Sequence, residues 1–306
     1  MLSIVAPCYN EEKVIPRFLE ELLPVLERIG LPYEIIFVND GSVDATLPVL
    51  LAMKRKYPDK NIRIVNLSRN FGKEAAITAG LDYCEGDLIV PIDVDLQHPP
   101  ALIEEFIAKW RQGYDVVLAK RKNRYAESYL KRISASLFYK FISNISDITV
   151  PEDVGDFRLM TRKVVESIRQ LPENQRFMKG LFAWIGFKTT TIEYEVQQRQ
   201  AGQTRFNGWK LWNLAIDGIT SFSTWPLRIW TYIGMAISFM SLVYASFIVI
   251  KTLVFGVDTP GFASLMVGIL LIGGIQLIGI GILGEYIGRI YMESKRRPTY
   301  IVEGIY

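Results

Sequence analysis

The chain has 306 residues, enough for one or two domains, and 50% of them are hydrophobic. Lysine and arginine number 35 against 32 acidic residues, a net charge of +3 that argues against a nucleic-acid partner drawn in by overall charge. One histidine, His98, and two cysteines, Cys8 and Cys84, exclude a histidine-based triad and a Cys/His zinc site. Both cysteines sit in apolar surroundings and are expected as buried free thiols. The apolar run at 3–7 is too short for a signal peptide, and Glu11 follows closely.

Strand and helix signals then alternate. Residues 3–7 read as a strand, and Asn10 is placed to cap the helix that follows. Val14, Phe18, Leu22 and Leu26 recur at helical spacing, with Glu20, Glu21 and Glu27 off the stripe. Residues 33–38 form the second strand and end in the turn Asn39-Asp40-Gly41-Ser42. A helix over 45–56, a strand over 62–67, a loop over 68–72 and a helix over 73–83 come next. The apolar strand 88–92 ends in two carboxylates one residue apart, Asp93 and Asp95. Pro99 and Pro100 stop it and open a helix over 101–111, with a fifth strand over 115–119. This alternation predicts an α/β, doubly wound, mostly parallel sheet. Right-handed crossovers gather Asn10, Asp40, Asp93 and Asp95 at the C-terminal ends of strands one, two and four, where such sheets bind ligands.

At that edge Asp93, Asp95 and the Gln97 amide offer hard oxygen ligands to Mg²⁺ or Mn²⁺. The same pattern also fits a solvated loop. A calcium loop of EF-hand type is excluded, because its sixth position requires Gly and is His98 here.

Beyond residue 119 the character changes. Lys120, Arg121, Lys122, Arg124, Lys131 and Arg132 form a basic cluster. Leu130, Ile133, Leu137, Phe138, Phe141, Ile142 and Ile145 recur through it at helical spacing. Such a helix either lies on an anionic membrane surface or packs on a core; the apolar segments further on favour the membrane. Residues 189–196 read as an edge strand. Around Gly202, Arg199 and Arg205 stand in a flexible loop where they can clamp a diphosphate. Trp209, Trp212 and Trp225 precede two apolar stretches, 229–255 and 262–282. Each reaches the ~20 residues that span ~30 Å of hydrocarbon. The connector 256–261 has no Lys or Arg, whereas Arg205, Lys210 and Arg228 precede the pair and Arg289, Lys295, Arg296 and Arg297 follow. Positive flanks place the N-terminal domain and both termini in the cytoplasm. Gly284-x-x-x-Gly288 permits close helix pairing, within the chain or in a homo-oligomer. The expected domains are 1–226 and a two-helix transmembrane hairpin with a short cytoplasmic tail, 227–306.

Three motifs in order carry a resemblance. Pro7-x-Tyr9-Asn10-Glu11-Glu12, Asn39-Asp40-Gly41-Ser42 and Asp93-Val94-Asp95-Leu96-Gln97-His98-Pro99-Pro100 resemble family 2 glycosyltransferases of the GT-A fold. The Leu-Gln-His-Pro-Pro tail is similar to the branch making polyprenyl-phosphate sugars, which includes dolichyl-phosphate mannose synthases and GtrB-type bactoprenol glucosyltransferases. The resemblance implies a Rossmann-like catalytic domain in the bacterial cytoplasmic membrane. It implies single-sugar transfer, with inversion, from a nucleotide sugar such as UDP-glucose to a polyprenyl phosphate, assisted by Mg²⁺ or Mn²⁺. Pro7, Tyr9, Asn10, Glu11, Asp40 and Asp93 would then line the donor pocket, and Lys73 would meet the diphosphate or stand as a surface lysine. Arg121, Arg132 and Ser136 would hold the acceptor phosphate. Asp156 would be the family's third acidic position, the catalytic aspartate beside Asp95, acting as a base or by orienting the sugar or phosphate, and the loop with Arg199 and Arg205 would close over the donor. Mannose, N-acetylglucosamine or aminoarabinose as the sugar, diacylglycerol as the acceptor, and a non-catalytic membrane scaffold are the alternatives. The Gln-x-x-Arg-Trp of processive family members does not occur.

Overall fold

The computed structural model describes residues 1–122, 154–173, 176, 178–195, 225–255 and 261–306. They fall into two units: one is built on a sheet, the other on two long helices. In the first unit β1 (Leu2–Cys8), α1 (Ile15–Ile29), β2 (Tyr33–Asn39), α2 (Thr46–Lys56), β3 (Ile62–Leu67), α3 (Lys73–Tyr83) and β4 (Leu88–Pro91) follow the expected alternation. α4 (Leu102–Arg111), β5 (Val116–Arg121), β6 (Val154–Thr161), α5 (Arg162–Arg169), α6 (Met178–Trp184) and β7 (Thr189–Tyr194) complete it, with β8 (Val302–Ile305) at the end of the chain. The eight strands run in the order β7-β5-β6-β4-β1-β2-β3-β8. The last ten residues, expected as a tail after the hairpin, thus belong to this unit, and Val302–Ile305 to its sheet.

The centre is parallel, as expected: β4, β1, β2 and β3 run in one direction. Their apolar runs are buried on both faces, which is how parallel strands under helices read in sequence. Two strands run against them. β6 lies antiparallel between β4 and β5, and β8 lies antiparallel on β3. β6 is as apolar and buried in its second half as its parallel neighbours, so its reversed direction was not marked in its own residues, yet that direction decides the site. An antiparallel strand begins where its parallel neighbours end, so Asp156, near the start of β6, arrives at the edge that carries Asp93 and Asp95.

α1 buries Ile15, Phe18, Leu19, Leu22, Leu23, Val25 and Leu26 against the sheet and ends on Gly30 in the left-handed region. Its N-cap is Val14, without a side-chain bond, not Asn10. Asn10 is instead occupied by the neighbouring loop, as described below. On the same face of the sheet, Phe18 meets Phe37 edge-on at 6.1 Å and Phe106 meets Phe157 at 4.9 Å. At the opposite end from the site, the buried Glu34 accepts bonds from Ser3 Oγ at 2.5 Å and Glu85 N at 2.6 Å, and pairs with Arg63 at 3.4 Å. A buried carboxylate needs such partners to offset lost hydration. Cys8 and Cys84 are buried free thiols, as expected.

The second unit holds α7 (Trp225–Phe255) and α8 (Phe262–Ser294). Among the described residues one stretch is long and apolar enough to cross a membrane, Leu271–Ser294, with 24 residues at mean hydropathy 1.5. α7 holds a shorter apolar stretch, Tyr232–Tyr244. Arg289, expected in a flank, lies within α8 and pairs with Glu285 at 3.2 Å. Phe239, Leu242, Phe247, Leu277 and Ile280 are exposed. α7 and α8 approach at Trp230 and Gly279, whereas a Cβ added to Gly284 or Gly288 would meet no described atom within 4 Å. Among the described residues, the helix pairing expected at those two glycines is therefore not made between α7 and α8.

Phe106 is fully buried and stacks on Phe157, so Phe106→Ala removes core contacts worth about 3–5 kcal/mol. A thermal melt of the purified protein should show a markedly lower midpoint than wild type.

Candidate active site

The edge formed by the ends of β1, β2 and β4 opens into a cleft of about 500 Å³. Pro7, Tyr9, Glu11, Asp40, Lys73, Asp93 and Asp95 line it, together with Cys8, Asn70, Gly72, Ala76 and Val94. Seven residues singled out from the sequence thus converge on one cavity.

The loops after β1 and β2 brace each other. Asn10 has φ of +56°, takes Ser42 Oγ as acceptor for its N–H at 2.9 Å, and accepts Val43 N–H on Oδ1 at 2.9 Å. Glu11 N–H donates to Thr46 Oγ1, and Glu12 Oε2 accepts Ala45 N–H, both at 2.9 Å. Asn10 thereby serves the frame, and it is not among the cleft-lining residues. Asp40 is buried, and its two oxygens accept the N–H groups of Phe71 at 2.7 Å and Gly72 at 2.9 Å. Burial pushes its carboxyl up, and those N–H groups with the Arg69 guanidinium pull it partly back. Gly41 sits where the two loops touch. Its φ is +59°, and a Cβ there would lie 2.2 Å from the Arg69 carbonyl carbon.

Lys73 opens α3 and reaches back across the cleft. Its ammonium lies 2.8 Å from both Asp93 oxygens and 2.7 Å from Asp156 Oδ2. Burial works against that charge, but the Asp93 and Asp156 carboxylates outweigh it and raise the pKa above the ordinary lysine value. The lysine is therefore cationic at neutral pH.

After β4 the chain alternates. Val94, Leu96 and His98 are buried, while Asp93, Asp95 and Gln97 are half-buried on the other side. Leu96 holds φ of +58°, a costly conformation for a branched side chain. Asp95 Oδ1 accepts the Gln97 N–H at 3.1 Å, which tightens the turn. Among the described residues no three His, Cys, Asp or Glu side chains form a ready-made metal cage. The carboxylates do hold a cation, since the Lys73 ammonium is seated between two of them. This donor set fits an ion that takes few protein oxygens and completes its shell with water and phosphate.

Beneath the site lies a layer that sequence reading missed. His98 is buried, its Nδ1 is 2.6 Å from Tyr194 Oη, and its ring lies 5.1 Å from Phe157. Burial holds its pKa below the usual histidine value. Arg158, two residues along β6 from Asp156, is buried, donates to the Gly155 carbonyl at 2.7 Å and stacks on Phe182 at 3.9 Å. Burial lowers its pKa to about 10 against the Asp156 and Glu74 carboxylates, so it stays charged. The i, i+2 spacing of Asp156 and Arg158 on a strand was the one available signal. Arg121 is exposed at the end of β5, opposite Tyr194 in the adjacent strand. Arg132, Ser136, Arg199 and Arg205 lie outside the described residues, as do the amphipathic stretch 130–145, the loop around Gly202, and Trp209 and Trp212.

An open, Rossmann-like sheet with paired carboxylates at its C-terminal edge defines the GT-A class of sugar-nucleotide enzymes. The chain belongs to glycosyltransferase family 2, whose model matches residues 3–169, and a GtrB C-terminal hairpin model matches residues 225–290. It is similar to an uncharacterized glycosyltransferase of Synechocystis, 53% identical over 305 residues, covering 100% of this chain and 95% of that one. It is also similar to the bactoprenol glucosyl transferase of Shigella phage SfV, 51% identical over 302 residues and covering 99% and 98% of the two chains. A prophage bactoprenol glucosyl transferase homolog of Escherichia coli K12 is 50% identical over 304 residues, 99% of each chain. The protein is a glycosyltransferase of the GtrB-like branch.

Gly41→Ala should destabilise the protein by about 2 kcal/mol or more, because the methyl group meets backbone. Gly30→Ala is the control: φ is also positive, at +69°, but no described atom lies within 4 Å, so only about 1 kcal/mol of backbone strain is expected. Comparing the two melting midpoints separates close approach from conformation.

Proposed function

We propose that this glycosyltransferase moves one glucose from UDP-glucose to the phosphate of a membrane polyprenyl phosphate, with inversion at the anomeric carbon. The observation that carries the reading is the Lys73 ammonium held by Asp93 and Asp156 in a cleft lined by Tyr9, Glu11 and Asp40. A cleft of this size, acidic at one wall and cationic at its centre, suits a nucleoside diphosphate sugar. The bactoprenol glucosyl transferases named above support the acceptor and the sugar.

Each residue then has a task. Tyr9, Glu11 and Asp40 receive the nucleoside, Glu11 with a carboxylate able to accept two ribose hydroxyls. Lys73, permanently charged, meets the diphosphate and neutralises it as the anomeric carbon–oxygen bond breaks. Asp93, Asp95 and Gln97 would hold Mg²⁺ or Mn²⁺, which supplies Lewis-acid charge neutralisation on the departing diphosphate. Arg121, with Arg132 and Ser136, brings the lipid phosphate to the opposite face of the sugar; the forked guanidinium donors match phosphate oxygens. That phosphate is already ionised near neutral pH, so its oxygen attacks without a strong base. Asp156, fixed by Lys73, orients the reacting groups. UDP leaves with the bonding electron pair. The apolar helices α7 and α8 keep the enzyme in the cytoplasmic membrane where the acceptor resides, with the sheet unit on the cytoplasmic side.

Purified protein incubated with radiolabelled UDP-glucose, Mn²⁺ and undecaprenyl phosphate should yield labelled polyprenyl-phosphate glucose. Product on diacylglycerol alone would replace the acceptor assignment. Asp95→Asn should lower turnover by about 10²-fold or more while leaving the melting midpoint within a few degrees of wild type. Unchanged turnover would remove Asp95 from the site.

A further inference from the structure

The strand at the very end of the chain plays no part in the transfer as set out above, yet it braces one wall of the cleft. β8 pairs with β3 so that Val65 faces Ile305 and Leu67 faces Val302. Ile64 and Tyr306 exchange backbone bonds at 2.9 Å, and Ser68 N–H donates to the Ile301 carbonyl at 3.0 Å. The register shifts between Asn66 and Leu67, where β3 gives way to the loop 68–72. Such irregularities re-aim a strand, and they gather beside active sites.

At this shift a run of side chains crosses three strands. Asn66 Nδ2 donates to Glu303 Oε2 at 2.8 Å, and Asn39 Nδ2 donates to Asn66 Oδ1 at 2.6 Å. Asn39 and Asn66 are both buried, so their amides depend on protein partners. Asn39 Oδ1 has no partner among the described residues, which leaves the bond to Asn66 as the tie that orients this side chain. The next residue is Asp40, whose carboxylate holds the backbone of Phe71 and Gly72. Loop 68–72 is thus gripped twice, by Asp40 from β2 and by Ile301 ahead of β8. It contributes Asn70 and Gly72 to the cleft and leads directly into Lys73. Glu303 itself does not line the cleft.

We infer that Glu303 is a positioning residue of the donor site. Through Asn66 and Asn39 it sets the end of β2 and the loop 68–72, and so the wall that receives the nucleotide. This inference rests on reading the cleft as the nucleotide-sugar site. What position 303 must supply is an acceptor oxygen for Asn66, not a charge.

The test titrates UDP in the presence of Mn²⁺ into the full-length protein in detergent, by calorimetry, with KM measured for UDP-glucose and for undecaprenyl phosphate. Glu303→Ala should weaken UDP binding about five-fold and raise the UDP-glucose KM to match, the effect of one lost hydrogen bond to a carboxylate. The lipid KM should not move. Glu303→Gln keeps an acceptor oxygen and should restore UDP binding to within about two-fold of wild type. Equal UDP affinity in wild type and Glu303→Ala overturns the inference. So does a matched rise in both KM values, or a Glu303→Gln protein as weak as Glu303→Ala, since either marks general loosening. Wild-type protein that binds no UDP would overturn the donor-site reading itself, and this inference with it.

Discussion

The Lys73 ammonium, shared by Asp93 and Asp156, ties together three pieces of chain that are far apart in sequence. One is the first turn of α3, one the turn after β4, one the start of β6. The lysine side chain is 46% exposed, so solvent screens these pairs and each contributes about 1 kcal/mol or less to stability. Their importance is positional. Two carboxylates facing one cleft repel each other unless a cation lies between them, and the fold supplies that cation from its own chain. The raised lysine pKa follows from the same arrangement.

Everything around this pair limits its movement. Asp40 and Gly41 lock the loop from which α3 springs, one by accepting the N–H groups of Phe71 and Gly72, the other by leaving room for the Arg69–Asn70 backbone to approach. On the other side Leu96 is held in a left-handed conformation by its own burial, so the Asp93–Gln97 turn is shaped by the core beneath it. His98, Tyr194 and Phe157 make that core. The buried histidine acts as a wedge of fixed shape under an acidic turn. Arg158 adds a buried positive charge behind Asp156, so the carboxylates at the surface are balanced from within as well as from the cleft. The charged groups of this edge are thus fixed by the fold around them.

Much of this was legible from residues alone. Apolar runs and helical stripes marked β1 to β5 and α1 to α4, because burial on both strand faces and one helix face leaves a periodic record. The edge carrying Asp40, Asp93 and Asp95 followed from crossover handedness. Asn10 was misread as a cap: an Asn before a helix has the right chemistry, but its side chain found Val43 across the neighbouring loop. Local spacing cannot register a competitor 33 positions away. The glycines at 284 and 288 suggested pairing within the chain or between copies; among the described residues α7 meets α8 at Gly279 and not at those two, because small residues permit approach without specifying where it occurs.

The sequence by itself determined the family, the alternating architecture, the acidic edge and the apolar C-terminal helices, since each is written in neighbouring residues. The tertiary structure alone decided that two strands, β6 and β8, run against the parallel centre, and what that brings together. Because β6 runs against β4, Asp156 meets Lys73; because β8 runs against β3, Glu303 meets Asn66 across 237 positions of chain. Hydrogen-bond pairing between strands is blind to sequence separation, and the side chains of a single strand, which alternate every second residue in either direction, do not say which way it will run where no strand–helix alternation frames it.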